Sequence, residues 1–464
     1  MATAGNSSTV PDSKDSQTGL RDNLRKLLTS YRYPGYPPTD LSIHSSFDQP
    51  YLKFDSSRNC FSYPSDDEAP LDSAKPTGGR ATPRIIVYMI PGNPGLVEFY
   101  EQFLSLLCAS FDQVGGCEIV CSGHLGHSLR HNSNLDFRFL ENFKLWKLFQ
   151  SSNQPLPSTP PQLGGSSLDD QIEYHSEIVG KIIHQGIGDP TKTKLVVIGH
   201  SVGGHIATKV LERYPDQVMH IIGLFPTISH IARSPNGLRL SPLFSPILLP
   251  FINMLQILVS LALPKMIICR LITLYYNPIS GTRSESRPAA QGLPGSGKKA
   301  DDTSEQNLLI MLNFILNINC VSAVLKMARS EMESICALDT KFIHLFHQQL
   351  TLFWTSHQAD EWVGETEITE IIELLSLHPD TSPDNVNNTI NHQHRVVPSH
   401  LNQSSILFGD KSIDSQSQVK PSGKIPSWKR MDEGIPHAFC LKDNEVMAKE
   451  CSALIQQKLS SFNP

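Results

Sequence analysis

The chain has 464 residues, 39% of them hydrophobic and 18% charged, enough for one large core or two ordinary ones. A formal net charge of −6 offers no basic field to nucleic-acid phosphates, so no nucleic-acid partner is expected. Nine cysteines lie far apart, odd in number and with no C-x-x-C pair. That pattern argues against a disulfide framework or a zinc site, and for reduced, mostly buried thiols in a cytosol-facing protein.

Residues 1–80 mix Ser, Asp, Pro and Tyr without sustained periodicity. They are expected to be poorly ordered, apart from a short helical segment near Leu20–Tyr31. No apolar run follows a basic start, so no cleaved secretory signal is expected. The folded domain is expected over 81–464. Its first element, Ile85-Ile86-Val87-Tyr88-Met89-Ile90, is short, rich in β-branched residues and closed by Pro91-Gly92-Asn93-Pro94-Gly95, which reads as a buried strand ending in a turn. A helix over Val97–Phe111 and a strand over Glu118–Cys121 follow. Beyond a polar loop at Ser151–Ser167 come a helix over Leu168–Gln185 and a strand over Lys194–Ile198. A helix over Val202–Arg213 and a strand over His220–Phe225 continue the pattern. Strands alternating with helices predict an α/β fold, a mostly parallel sheet flanked by helices.

From 227 to about 345 the alternation breaks, which predicts an inserted apolar helical lid. No residue between Leu240 and Pro264 is charged, a run longer than the roughly 18 residues at which a membrane span becomes a candidate. Four prolines (242, 246, 250 and 264) and two polar residues, Asn253 and Gln256, disfavour a straight spanning helix. An interfacial or hairpin-like segment is expected instead, with a buried lid over an ordinary pocket as the alternative. Residues from about 280 to 305 have the composition of a disordered linker, and a helix is expected over Leu308–Met327. The alternation resumes with a strand at Leu350–Trp354 and a helix at Glu365–Ser376. A second polar insert is expected over about 378–429, before a closing helix at Asp443–Leu459.

The chemistry centres on Gly199-His200-Ser201-Val202-Gly203, placed between an apolar strand and a helix. A nucleophile at such a strand-to-helix elbow needs small residues two positions either side of it, and the helix start aims backbone N–H groups at developing negative charge. This context predicts an α/β-hydrolase fold with Ser201 as nucleophile. An oxyanion hole would draw one backbone N–H from Val202 and a second from Asn93, with Gly95 as the fallback because Pro94 has none. Acid and base should follow the serine in that order. Asp360, just after the late strand, is the expected acid, with Asp410 as its rival. His437, in a loop before the closing helix, is the expected base. His200 is expected to point away from the site, into the scaffold. Neither a cofactor nor a metal is expected.

Five segments are similar to those of the lipid droplet-associated hydrolases. They are Ile90-Pro91-Gly92-Asn93-Pro94-Gly95 with Phe99-Tyr100, Gly123-His124-Leu125-Gly126-His127-Ser128, the elbow itself, Phe225-Pro226-Thr227-Ile228 with Ser234-Pro235-Asn236-Gly237, and Ile435-Pro436-His437-Ala438-Phe439. The resemblance implies an α/β-hydrolase fold with an apolar insertion and residence on lipid droplets and the endoplasmic reticulum. It carries nucleophile, acid and base over to Ser201, Asp360 and His437, and the family's D-x-W reads Asp360-Glu361-Trp362 here. The function implied is a serine hydrolase acting on lipid esters, sterol esters or acylglycerols. Leu240–Pro264 would meet the droplet monolayer or reticulum membrane surface. The alternative is an interaction protein of that surface with minor or vestigial esterase activity.

Overall fold

The structure, a computed structural model, describes residues 25–32, 39–46, 84–111, 116–129, 167–186, 193–281, 297–355, 360–376, 428–431 and 435–461, with short pieces between 34 and 62. Among the described residues ten strands run in chain order: β1 (Arg25–Tyr31), β2 (Thr39–Ser45), β3 (Lys53–Asp55), β4 (Cys60–Ser62), β5 (Arg84–Ile90), β6 (Cys117–Ser122), β7 (Thr193–His200), β8 (Val218–Leu224), β9 (Leu350–Trp354) and β10 (Trp428–Arg430). Eight of them form one sheet in the order β1-β2-β6-β5-β7-β8-β9-β10, while β3 and β4 pair separately. From β6 to β10 neighbours are parallel; β2 is antiparallel to both β1 and β6.

The period of two along β5 explains why the sheet is covered on both faces. Ile86, Tyr88 and Ile90 enter one core, with Ile178 and Val179 of α2 (Leu168–Lys181) and Ile206 and Val210 of α3 (Val202–Arg213). Ile85, Val87 and Met89 enter the other, with Phe103 and Leu107 of α1 (Glu101–Ala109) and Met447 and Ile455 of the closing helix, Asn444–Ser461. A strand buried on both faces must be apolar at nearly every position, as β5 is.

The sheet starts earlier than Arg84. Residues 25–31, expected as part of a helix, instead form β1, paired with β2 in the register Arg25↔Ser45 to Tyr31↔Thr39. Pairing across the sheet has overridden local preference. In β2, Thr-Asp-Leu-Ser-Ile-His-Ser, polar and apolar residues alternate as on a half-exposed strand, yet all seven are buried. Its polar side chains find partners inside: Ser42 Oγ donates to Glu101 Oε1 at 3.0 Å, and His44 Nε2 lies 3.6 Å from the same carboxylate.

The insertion after β8 holds α4 (Pro235–Leu240), α5 (Leu249–Ala262), α6 (Lys265–Gly281), α7 (Gly297–Leu316), α8 (Ile318–Ser334) and α9 (Thr340–Phe346). The expected linker at 280–305 is shortened from its end, because residues 297–305 are the start of α7. No proline or glycine between Lys298 and Glu305 stops the helix from extending backward. Residues 282–296 lie outside the described residues. The last helices are α10 (Glu365–Ser376) and α11 (Asn444–Ser461). Of the polar insert expected at about 378–429, residues 378–427 lie outside the described residues, and Trp428 and Lys429 belong to β10.

Helix α5 is turned inside out relative to an ordinary surface helix. Asn253 (7% exposed) and Gln256 (9%) face the protein, while Phe251 (59%), Leu255 (60%) and Leu261 (67%) face outward. Asn253 accepts a hydrogen bond from Ser322 Oγ at 2.9 Å, and Gln256 Nε2 donates to the Ile315 carbonyl at 2.5 Å. The apolar face continues onto α6 through Met266, Leu271 and Leu274, whereas Ile268 and Ile272 pack against Leu312 of α7. Among the described residues no single helix is long and apolar enough to cross a membrane; Pro235–Phe244 and Leu249–Ala262 satisfy that test only as a pair, bent by 83°.

Because Ile43 of β2 is 1% exposed and belongs to the core, Ile43→Ala should lower unfolding stability by about 2–5 kcal/mol in urea titration. A change below about 0.5 kcal/mol, typical of surface sites, would contradict the placement of β2 in the sheet.

Candidate active site

Strand β7 ends at His200 and α3 begins at Val202, which leaves Ser201 to turn the chain. Its backbone, at φ 52° and ψ −123°, lies outside the regions favoured by L-residues and costs about 1–3 kcal/mol. Three hydrogen bonds hold it there. Ser201 N–H donates to the Leu224 carbonyl at 3.0 Å, and the Ser201 carbonyl accepts from Gly204 at 2.9 Å and Thr227 at 3.1 Å. The flanking glycines allow close approach: a Cβ on Gly199 would lie 2.3 Å from the Gly203 carbonyl oxygen, and one on Gly203 would lie 2.3 Å from that of Ile90.

His437 reaches this serine from the loop before α11. Ser201 Oγ is 2.9 Å from His437 Nε2, and His437 Nδ1 is 2.9 Å from Asp360 Oδ2. The carboxylate can only accept, so the ring carries its hydrogen on Nδ1 and offers Nε2 to the serine hydroxyl. Asp360 Oδ1 accepts from the backbone N–H groups of Trp362 at 2.8 Å and Val363 at 3.1 Å. Burial works to raise the Asp360 carboxyl, but the His437 ring and the two backbone donors outweigh it and hold the group below its ordinary value. Asn236 of α4 fixes the Asp360 loop from outside: its backbone N–H donates to the Glu361 carbonyl at 2.9 Å, and its side-chain amide lies within hydrogen-bond distance of the Glu361 carboxylate and the Trp362 indole.

On the other side of Ser201 lies the loop after β5. A Cβ on Gly92 would sit 2.9 Å from Ser201 Cβ, so this backbone rests directly on the nucleophile position. Asn93, in a cis peptide with Pro94, turns its side chain toward the insertion. Its Nδ2 donates to the Val324 carbonyl at 3.1 Å and to Glu331 Oε1 at 3.0 Å, both on α8. Glu331 is buried, and burial pushes its carboxyl up to about 8 against the opposing hydrogen bond from Asn93. Phe225 forms a further wall. Its φ of 48° is unusual for a bulky residue, its N–H donates to the Phe353 carbonyl, and its ring centroid stands 6.1 Å from that of His437.

The structure thus brings Ser201, Asp360 and His437 into one hydrogen-bonded line, with Val202 at the start of α3 and Asn93 on the facing loop. Asp410 lies outside the described residues. Sequence reasoning missed Glu331, Phe225 and the clamp made by Asn236. Asn236 was visible as part of the Ser-Pro-Asn-Gly segment, but Glu331 sits among other charged residues that gave no sign of its burial. Among the described residues no cluster of His, Cys, Asp or Glu side chains is arranged to hold a metal ion.

An eight-stranded, mostly parallel sheet flanked by helices, with a serine in an unfavourable backbone conformation between its central strand and the following helix, defines an α/β hydrolase. Within that class, the chain belongs to the lipid-droplet associated hydrolase family, whose sequence model it matches over residues 83–394. Ser201 and Asp360 lie inside that match and His437 beyond it. A lipid droplet-associated hydrolase of Gallus gallus is 24% identical over 295 residues, covering 62% of this chain and 74% of the relative. One of Dictyostelium discoideum is 23% identical over 387 residues, or 81% of this chain and 89% of the relative. One of Rattus norvegicus is 29% identical over 165 residues, 35% of this chain and 44% of the relative. Among solved structures, a carboxylesterase of Bacillus subtilis aligns with a TM-score of 0.38 at 9% identity, covering 95% of each chain.

The Glu331 carboxyl yields a stability prediction. Its folded value, about 8, lies above the ordinary 4.5, so between those values the folded state holds a proton that the unfolded state releases. Wild-type stability should therefore fall, relative to Glu331→Gln, as pH rises from about 5 to 8. Thermal melting of both proteins across that range checks this; parallel curves would contradict a neutral, buried carboxyl.

Proposed function

We propose that the chain is a serine hydrolase of lipid esters, with sterol esters or acylglycerols as substrates, acting at the surface of lipid droplets or the endoplasmic reticulum. The observation that carries the chemistry is the unbroken line from Ser201 Oγ through His437 to Asp360, at 2.9 Å and 2.9 Å. His437 takes the Ser201 proton as Oγ attacks the ester carbonyl, and the carbonyl oxygen becomes an oxyanion. The N–H groups of Val202 and Asn93 receive that charge, aided by the positive end of α3. The tetrahedral centre collapses, His437 protonates the departing alcohol, and the acyl group stays on Ser201. Water, deprotonated by the same imidazole, then releases the acid. Asp360 keeps His437 in the working tautomer and stabilises the imidazolium.

The lipid surface enters through α5 and α6. Outward-facing Phe251, Leu255, Leu258 and Leu261 present an apolar face to the outside, and the names of the relatives above point to a lipid droplet as its counterpart. Burying that face in a monolayer places the insertion, and the site beside it, against a substrate that water excludes.

Two experiments test this reading. With a purified protein and an emulsified lipid-ester panel, Ser201→Ala should lose on the order of 10⁶ in rate and Asp360→Asn about 10⁴, while Asp410→Asn stays near wild type. Wild-type turnover in Ser201→Ala would remove the mechanism, and a crippled Asp410→Asn would move the acid. For the surface, Phe251→Asp with Leu258→Asp should leave the fold intact, since both side chains are exposed. Each aspartate costs about 3 kcal/mol at a hydrocarbon centre, so flotation with artificial droplets should collapse. A folded double variant that floats like wild type would place the anchor elsewhere.

A further inference from the structure

We infer that His200, next to the nucleophile in sequence, is a positioning residue that ties the Gly92–Asn93 loop and the His437 loop to one fixed point. The inference rests on the triad reading above and extends it to a residue outside the triad.

Three hydrogen bonds carry it. Gly92 N–H donates to Tyr100 Oη at 3.0 Å, Tyr100 Oη meets His200 Nδ1 at 2.6 Å, and His200 Nε2 meets the His437 carbonyl oxygen at 2.9 Å. The direction of each is determined. A carbonyl only accepts, so His200 carries its hydrogen on Nε2. Burial, with the neighbouring His437 ring, pushes the imidazole down to about 3, so it is neutral and Nδ1 accepts. Tyr100 must then donate, and burial keeps it a phenol. Donors therefore run one way, from Gly92 through Tyr100 and His200 to His437. The imidazole is also held by packing: Phe439 meets it edge-on at 5.1 Å between ring centroids, and Phe439 packs in turn on Phe103 at 5.3 Å.

The placement of these bonds gives them a catalytic consequence. The proposed oxyanion donor and the base come from opposite ends of the domain, one after β5 and one before α11, and no covalent path of useful stiffness joins them. His200, at the end of β7, is attached to the same strand as the nucleophile. Its ring reaches the backbone of His437 directly, and reaches Gly92, the residue before Asn93, through the Tyr100 hydroxyl. Moving either loop by 1 Å is the kind of displacement that can cost roughly 10² in rate.

The test uses the full chain, with fluorophosphonate titration of reactive serines and hydrolysis of a p-nitrophenyl ester. His200→Phe should lower kcat per titrated serine by about 10- to 100-fold and leave KM within a few-fold. His200→Gln, whose amide can both accept and donate, should recover part of that loss. Tyr100→Phe removes one oxygen only and should show an intermediate kcat; it carries the test if His200→Phe does not fold. Fewer titratable serines at unchanged kcat per site, in both His200→Phe and Tyr100→Phe, would mean a purely structural role and overturn the inference. Hydrolysis by Ser201→Ala equal to wild type would instead overturn the triad reading beneath it.

Discussion

Ser201 occupies a backbone conformation that a serine in an isolated peptide avoids, and the architecture around it is what keeps it there. The Leu224 carbonyl at the end of β8 accepts from its N–H, while Thr227 and Gly204 donate to its carbonyl. Those partners are in place only because β7 and β8 run parallel in register, and because glycine at 199 and 203 lets strand, elbow and helix approach within contact distance. A cost of about 1–3 kcal/mol at one residue is small beside the core that imposes it. In return the hydroxyl stands clear of the sheet edge, within hydrogen-bond reach of a histidine from the far end of the chain.

The insertion follows a different logic from the sheet. In the sheet, apolar residues point inward and the rare polar ones, such as Ser42 and His44 of β2, find buried partners. Helix α5 reverses this, docking by its amide side chains and leaving its hydrocarbon outside. Its partners continue toward the site: Asn253 meets Ser322 on α8, and α8 holds the Asn93 side chain through Val324 and Glu331. The outward apolar face and the loop over the nucleophile are thus separated by one helix, with hydrogen bonds on both sides of it.

Much of this was legible in the sequence because periodicity and local chemistry agreed. The apolar runs of β5 and β7 and the five-residue elbow each carry a signal that does not depend on distant residues, whereas His437 was legible only through its order after the elbow. Other features failed for physical reasons. β2 reads as part of a poorly ordered lead-in because its polar residues mask a buried strand, whose Ser42 and His44 are met by Glu101, a partner far away in sequence. β1 reads as helix because its strand state is imposed by β2. Asn253 and Gln256 read as flaws in a membrane-facing helix, although they are its attachment points. His200 was expected to point into the scaffold, and composition could not indicate that its ring would meet Tyr100 on one side and the His437 carbonyl on the other.

The placement of β10 bears on how much length the chain can tolerate. Helix α10 ends at Ser376, and Trp428 of β10 pairs with Leu352 of β9. The Met431 N–H then donates to the Trp354 carbonyl, so the strand just before Asp360 also anchors the segment that leads to His437. Lengthening a flexible connection between two fixed ends has only a logarithmic entropic cost, about 0.6 kcal/mol for each doubling of its length. Asp360 and His437 can therefore stand 77 positions apart in sequence and still meet at 2.9 Å. Spacing in sequence is thus a poor guide to which residues meet in space.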